Sequence, residues 1–183
     1  MSKAVLISIQ PKWCQLIASG RKTIELRKTR PKLTAPFKVY IYCTKYKCGE
    51  KMSFQQGKTG KVIGEFVCDG FLSHCEMANA DIAEVQSLVR RENILEYAGG
   101  KEVFGWHISD LVIYDKPLEL CEFFKPCIKE AYPWCLDCVQ GLTAEERRMY
   151  SHLRSVDVPC GGWLKRPPQS WCYVEEKTKK FAK

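Results

Sequence analysis

The first 27 residues change hydrophobic period twice, and few folds accept that order. Ala4 to Ile9 is an almost wholly apolar run rich in Val, Leu and Ile, of the kind that forms a buried strand. Pro11 follows where a first helical residue would sit; its missing N–H loses nothing there and its fixed φ suits a helix start. Trp13, Leu16 and Ile17 recur at helical spacing, and Gly20 supplies the left-handed residue that ends many helices. The pattern then becomes period two, with Thr23, Glu25 and Arg27 on one face of a strand and Ile24 and Leu26 on the other. Two strands therefore flank one short helix.

Further along, Phe37 to Cys43 alternates Phe37, Val39 and Ile41 against Lys38, Tyr40 and Tyr42, which predicts a half-buried strand with an outer face of lysine and tyrosine. Lys45 to Lys61 reads as a basic loop, and Lys61 to Phe71 as a strand in which Gly64 permits a bulge or bend. Helical periodicity returns from Asn79 through Val85, Leu88, Val89, Ile94 and Leu95, stopped by Gly99 and Gly100. Phe104 to Ile108, Leu111 to Tyr114 (ended by Pro117) and Trp171 to Val174 read as strands. Short strands without regular βα alternation predict an α+β chain: a small, mostly antiparallel sheet or barrel with flanking helices.

The apolar run near the start is too short for a signal-peptide core or a membrane span. The expectation is a soluble protein without membrane contact, most simply cytoplasmic. Charge is unevenly spread. Residues 1–64 carry 14 Lys and Arg against Glu25 and Glu50, residues 65–150 carry 8 against 16 acids, and residues 151–183 carry 7 against 3, giving the net +8. The basic block also holds Trp13, Phe37, Tyr40, Tyr42, Tyr46 and Phe54, a composition suited to phosphates and stacked bases. The plainer reading is a solvated lysine face that keeps the protein soluble.

The densest constellation is Gly20-Arg21-Lys22-Thr23-Ile24-Glu25-Leu26-Arg27, preceded by Gln10-Pro11-Lys12-Trp13. It resembles the ASCH superfamily, whose hallmark is a G-x-K-x-x-E-x-R segment after the first helix of a small PUA-like β-barrel. Gly20, Lys22, Glu25 and Arg27 supply all four positions. Gly64-Glu65-Phe66, Gly105-Trp106-His107-Ile108-Ser109 and the stretch Arg166 to Val174 look like later barrel strands of phage-encoded and bacterial members. The likeness covers residues 3 to about 119 and again 163–176. It implies a cleft between first helix and barrel that binds RNA or a modified nucleoside.

The residue types fit that expectation. Lys22 and Arg27 bring positive charge, one as a mobile point and one as a planar fork. Glu25 repels phosphate but accepts from an exocyclic amine, or acts as acid or base. The competing reading is a strand-surface ion pair worth about 0–1 kcal/mol. Gln10, Lys12, Trp13, Lys22, Glu25, Arg27, Lys28 and Gln169 are the candidate ligand-binding residues, although Trp13 at its apolar spacing also fits the core. Trp106 and Trp171 read as core, and His107 as a hydrogen-bonded structural residue. One branch of the superfamily hydrolyses N4-acetylcytidine with a Lys, a Thr three residues later and a distant Glu. Here that third position is Glu25, so a threonine-nucleophile mechanism lacks its nucleophile. If the chain is an enzyme, Lys22 and Glu25 are its catalytic candidates, as a hydrolase of a modified nucleoside or RNA.

Between residues 120 and 162 the texture changes to Cys, Pro and Gly, predicting an insert between the first barrel segment, 1–119, and a final barrel strand, 163–176, with a basic tail at 177–183. Its one clear helix starts at Thr143, with Glu146 completing a capping box. Cys135 and Cys138 have the spacing of half a zinc site, which Cys127 and Cys160 would complete, with Cys121 as a substitute. Eleven cysteines in 183 residues stay under the ~8–10% of disulfide scaffolds. The alternatives are buried small hydrophobes, a redox pair, or a protein-interaction module built on the insert.

Overall fold

The computed structural model describes residues 3–46, 57–72, 80–126 and 163–177, those at 80–83 by backbone alone. Strands β1 (Lys3–Ile9) and β2 (Ile24–Arg27) flank helix α1 (Pro11–Ala18). Then come β3 (Phe37–Cys43), β4 (Lys61–Cys68) and β5 (Phe71–Leu72), helices α2 (Ala80–Ser87) and α3 (Arg91–Ala98), and strands β6 (Phe104–His107), β7 (Ser109–Leu118) and β8 (Trp171–Glu175). A five-stranded sheet runs β7-β4-β3-β1-β8 and a three-stranded sheet runs β2-β6-β5. The β1–β3 pair is parallel and the other pairs are antiparallel. This is the mixed, mostly antiparallel architecture that the periodicity predicts.

Local chemistry accounts for the element ends. Pro11 opens α1, and Gly20 follows it at φ 72°. Gly99 closes α3 in the left-handed conformation, its N–H donating to the Leu95 carbonyl. The two sheets share one core: Val5, Ile7 and Ile9 of β1 and Val39 and Ile41 of β3 pack with Trp106 of β6, while α1 adds Cys14 and Ile17. Trp106 meets the rings of Phe37, Phe71 and Trp171, and Trp171 itself is only partly buried. Ile24 and Leu26, the apolar face of β2, pack on Ile94 and Ala98 of α3.

Five local expectations are corrected. The tyrosine face of β3 is not open to solvent: Tyr40 and Tyr42 are buried in a second core with Ala4, Leu6, Phe123 and Leu164. Segments from both sides of the Cys-rich region cover that face, and alternation along one strand cannot register them. Phe123 donates and accepts backbone bonds there, and an isolated bridge joins Phe124 to Trp163. Residues 120–124 therefore pack as framework rather than as part of an insert. The helical periodicity after Asn79 is two helices, because Leu88 takes φ 56°, and Val85 and Leu95 remain largely exposed. The strand from Lys61 ends at Cys68, with Phe71 and Leu72 belonging to the other sheet, while β7 runs through Pro117. The capping box at Thr143 and Glu146, and Cys127, Cys135, Cys138 and Cys160, lie outside the described residues. No helix among the described residues is long and apolar enough to cross a membrane.

Gly64 marks the point where β4 slips register against both neighbours. A Cβ there would stand 2.4 Å from the Val112 carbonyl oxygen and 3.1 Å from Ile113 Cα, both backbone atoms that cannot swing away. Gly64→Ala should therefore destabilise the fold by about 1–3 kcal/mol. Gly70→Ala, where a Cβ meets nothing within 4 Å, should leave the denaturant midpoint unchanged or slightly raised.

Candidate functional site

An open cleft of about 1420 Å³ lies over the start of α1 and the polar face of β2. The two-residue repeat of β2 buries Ile24 and Leu26 and so turns Glu25 and Arg27 the other way, into the cleft. Lys22, just before the strand, enters beside them. Its Nζ stands 3.4 Å from Glu25 Oε2, and Arg27 Nη2 stands 3.1 Å from Glu25 Oε1. The three side chains are 2%, 7% and 13% exposed, for Lys22, Glu25 and Arg27. They form a buried triad rather than the exposed ion pair of the simpler sequence reading.

Each cation is also held from behind. Lys22 Nζ donates to the Ser87 carbonyl at 2.7 Å, at the C-terminal end of α2, where a cation meets the negative end of the helix dipole. Arg27 Nη2 donates to the Ser8 carbonyl at 2.5 Å, tying the three-stranded sheet to β1. Ser8 Oγ in turn donates to the Pro168 carbonyl at 2.7 Å, which fixes the 165–169 wall. Burial pushes the Lys22 ammonium below its ordinary pKa; Glu25 opposes that shift and Arg27 adds to it. Arg27 Nε is buried without a hydrogen-bond partner among the described residues, an uncommon cost in a folded protein.

All eight candidate ligand-binding residues line this one cleft. Gln10, Lys12, Lys28 and Gln169 are exposed. Trp13 packs against the main core, as one of its sequence readings expects, and also lines the cleft. Lys12 Nζ lies 4.6 Å and Lys22 Nζ 5.0 Å from its ring centroid. His107 stays outside the cleft, its Nδ1 2.6 Å from Asp69 Oδ1, a bond that holds the Asp69 carboxyl below its usual range.

Sequence reading missed several contributors. Ser8 and Ser87 act through backbone carbonyls, which no side-chain pattern reports. Lys45, Lys165, Asn93 and Tyr97 also line the cleft. The signal for Tyr97 was available: with Asn93 one turn earlier, it falls off the buried stripe of Ile94 and Ala98, leaving an aromatic on a polar helix face. Among the described residues no group of three or more His, Cys, Asp and Glu is placed to hold a metal ion; Cys121 is exposed.

Removing one member of a buried charge cluster strands the others, typically at about 3–5 kcal/mol. Glu25→Ala should lower stability by that order, read as a fall in thermal midpoint. A loss under about 1 kcal/mol would mean the carboxylate carries only the exposed-pair energy.

The ASCH domain profile matches residues 7–111. The structure is similar to that of ASCH from Zymomonas mobilis, at 18% identity and a TM-score of 0.50, covering 82% of this chain and 94% of that one. It is also similar to a tyrosine-to-phenylalanine variant of the Zymomonas mobilis protein, at 18% identity and a TM-score of 0.50, covering 83% of this chain and 99% of that one. Identity at this level speaks for the PUA-like fold alone. No curated protein matches the sequence. With more than half of its length under the family profile and the hallmark residues converging in one cleft, the chain belongs to the ASCH domain family.

Proposed function

We propose that the cleft binds single-stranded RNA or a nucleotide-like ligand. The observation that carries this reading is the division of its cations. Lys22 and Arg27 are spent on Glu25 and on backbone carbonyls. Lys12, Lys28, Lys45 and Lys165 are exposed cleft-lining residues, and none of them is ion-paired among the described residues. An exposed cation–aromatic contact such as Lys12 on Trp13 is worth about 0.5–1 kcal/mol, whereas stacking a base on an aromatic ring is worth about 1–3 kcal/mol. A base therefore displaces the ammonium from the ring and frees it to meet a phosphate. Inside, Glu25 accepts from a base amine.

With four phosphates met by those four lysines, the log–log salt slope for a single strand is about −2.8. Affinity for a short oligoribonucleotide should then fall about 50-fold between 50 and 200 mM salt. Lys12→Ala and Lys165→Ala should each reduce that slope without unfolding the protein. Binding indifferent to salt and to both substitutions would overturn the reading.

A second reading is hydrolysis of a modified nucleoside or RNA in the same cleft. It is favoured by one observation, the desolvated Lys22 beside a buried carboxylate, a pairing suited to moving a proton. Thr23 does not line the cleft, so the base would be Glu25, with Lys22 stabilising developing charge. Turnover of an acylated cytidine or an RNA should then be abolished by Glu25→Gln in protein that circular dichroism shows to be folded. Equal turnover by the variant would remove Glu25 from the chemistry. The zinc site at Cys127, Cys135, Cys138 and Cys160 stays a separate proposal, to be checked by metal content of the purified protein.

A further inference from the structure

We propose that Tyr97 and Lys28 form a second nucleotide subsite, so that the cleft holds a strand of at least two nucleotides rather than one nucleoside. This rests on the nucleic-acid reading above and names the occupant of the same cleft. The first observation is a repeated pairing. Lys12 Nζ lies 4.6 Å from the Trp13 ring centroid, on α1. Lys28 Nζ lies 4.9 Å from the Tyr97 ring centroid, with Tyr97 on α3. Both pairs line the cleft. Each couples a stacking surface to a mobile cation, the two elements that single-strand binding sites combine per nucleotide.

The second observation is that Tyr97 belongs to none of the core clusters among the described residues. Among the described residues the large apolar side chains left exposed are Val85, Leu95, Tyr97 and Val112, and Tyr97 alone of these lines the cleft, at 40% exposure. Its neighbours Ile94 and Ala98 carry the helix's buried contact. Asn93, one turn earlier, brings an amide that donates to or accepts from a base edge. Glu96 also lines this wall; its carboxylate repels a phosphate and accepts from a base amine, which sets the base toward α3 and the backbone toward Lys28.

The third is size. A cleft of about 1420 Å³ exceeds the roughly 300–1,000 Å³ typical of sites for a single small molecule. One nucleoside stacked on Trp13 would leave much of a cleft of that volume to solvent. A second stacked nucleotide fills it and draws on a lysine that otherwise rests on an aromatic ring.

The test uses the full chain and 5′-phosphorylated oligouridylates of one to five nucleotides, titrated at fixed salt. The expected result is a rise in affinity of about tenfold or more between one and three nucleotides. That step should shrink severalfold in Tyr97→Ala and in Lys28→Ala, and persist in Tyr97→Phe, which keeps the ring. Trp13→Phe should preserve it too, since its ring remains. A one-nucleotide probe bound as tightly as the pentamer, or a length step unaltered in Tyr97→Ala, overturns the second subsite while leaving the cleft's nucleotide binding intact. A step lost equally in Tyr97→Ala and Tyr97→Phe also overturns it, because the hydroxyl rather than stacking would then carry the effect. No binding of any length overturns both this inference and the reading beneath it.

Discussion

A carboxylate held between two cations, all three nearly closed off from water, organises this molecule. Burying such a cluster costs several kcal/mol per ion before any attraction is counted, so the cluster is not explained as a source of net stability. Its value lies in position. Through Lys22 it grips the last carbonyl of α2, and through Arg27 it grips β1 in the other sheet. The charges that would otherwise be loose on a strand surface become fixed points around which helix ends and sheet edges are arranged.

That arrangement separates two kinds of positive charge. The internal pair shares a single carboxylate, so the cluster keeps a formal charge of +1 while each cation is oriented by Glu25 and by a backbone carbonyl. The rim lysines are exposed to solvent, where charge acts at longer range and is screened by salt. Aromatic rings lie against lysine ammoniums in both parts of the cleft wall, Trp13 beside Lys12 and Lys22 and Tyr97 beside Lys28. The Phe124–Trp163 bridge brings the two sides of the Cys-rich region together, and Leu120 and Lys165, just outside it on either side, both line the cleft. Whatever that region does, its stems are part of the cleft's architecture.

Much of the site was legible because its signals are local. A strand of alternating residues must send Glu25 and Arg27 one way and Ile24 and Leu26 the other, and Pro11 and Gly20 bracket a helix by backbone sterics alone. Spacing therefore fixed which side chains share a face, and the hallmark residues could be placed together before any contact was known. The same logic failed for β3, where alternation put Tyr40 and Tyr42 outside although Phe123 and Leu164 cover them.

Sequence alone determined the element types near the start, the polar face of β2, the concentration of cations in the first third, and the family. Only the tertiary structure decided that Lys22 is buried, because its partner carbonyl at Ser87 lies 65 residues away. Only it decided that Ser8 and Pro168, 160 residues apart, make one wall, and that Tyr97 looks into the cleft rather than the core. Periodicity reports which residues share a face; which faces meet is settled by contacts between distant segments, whose burial and charge pairing no local window contains.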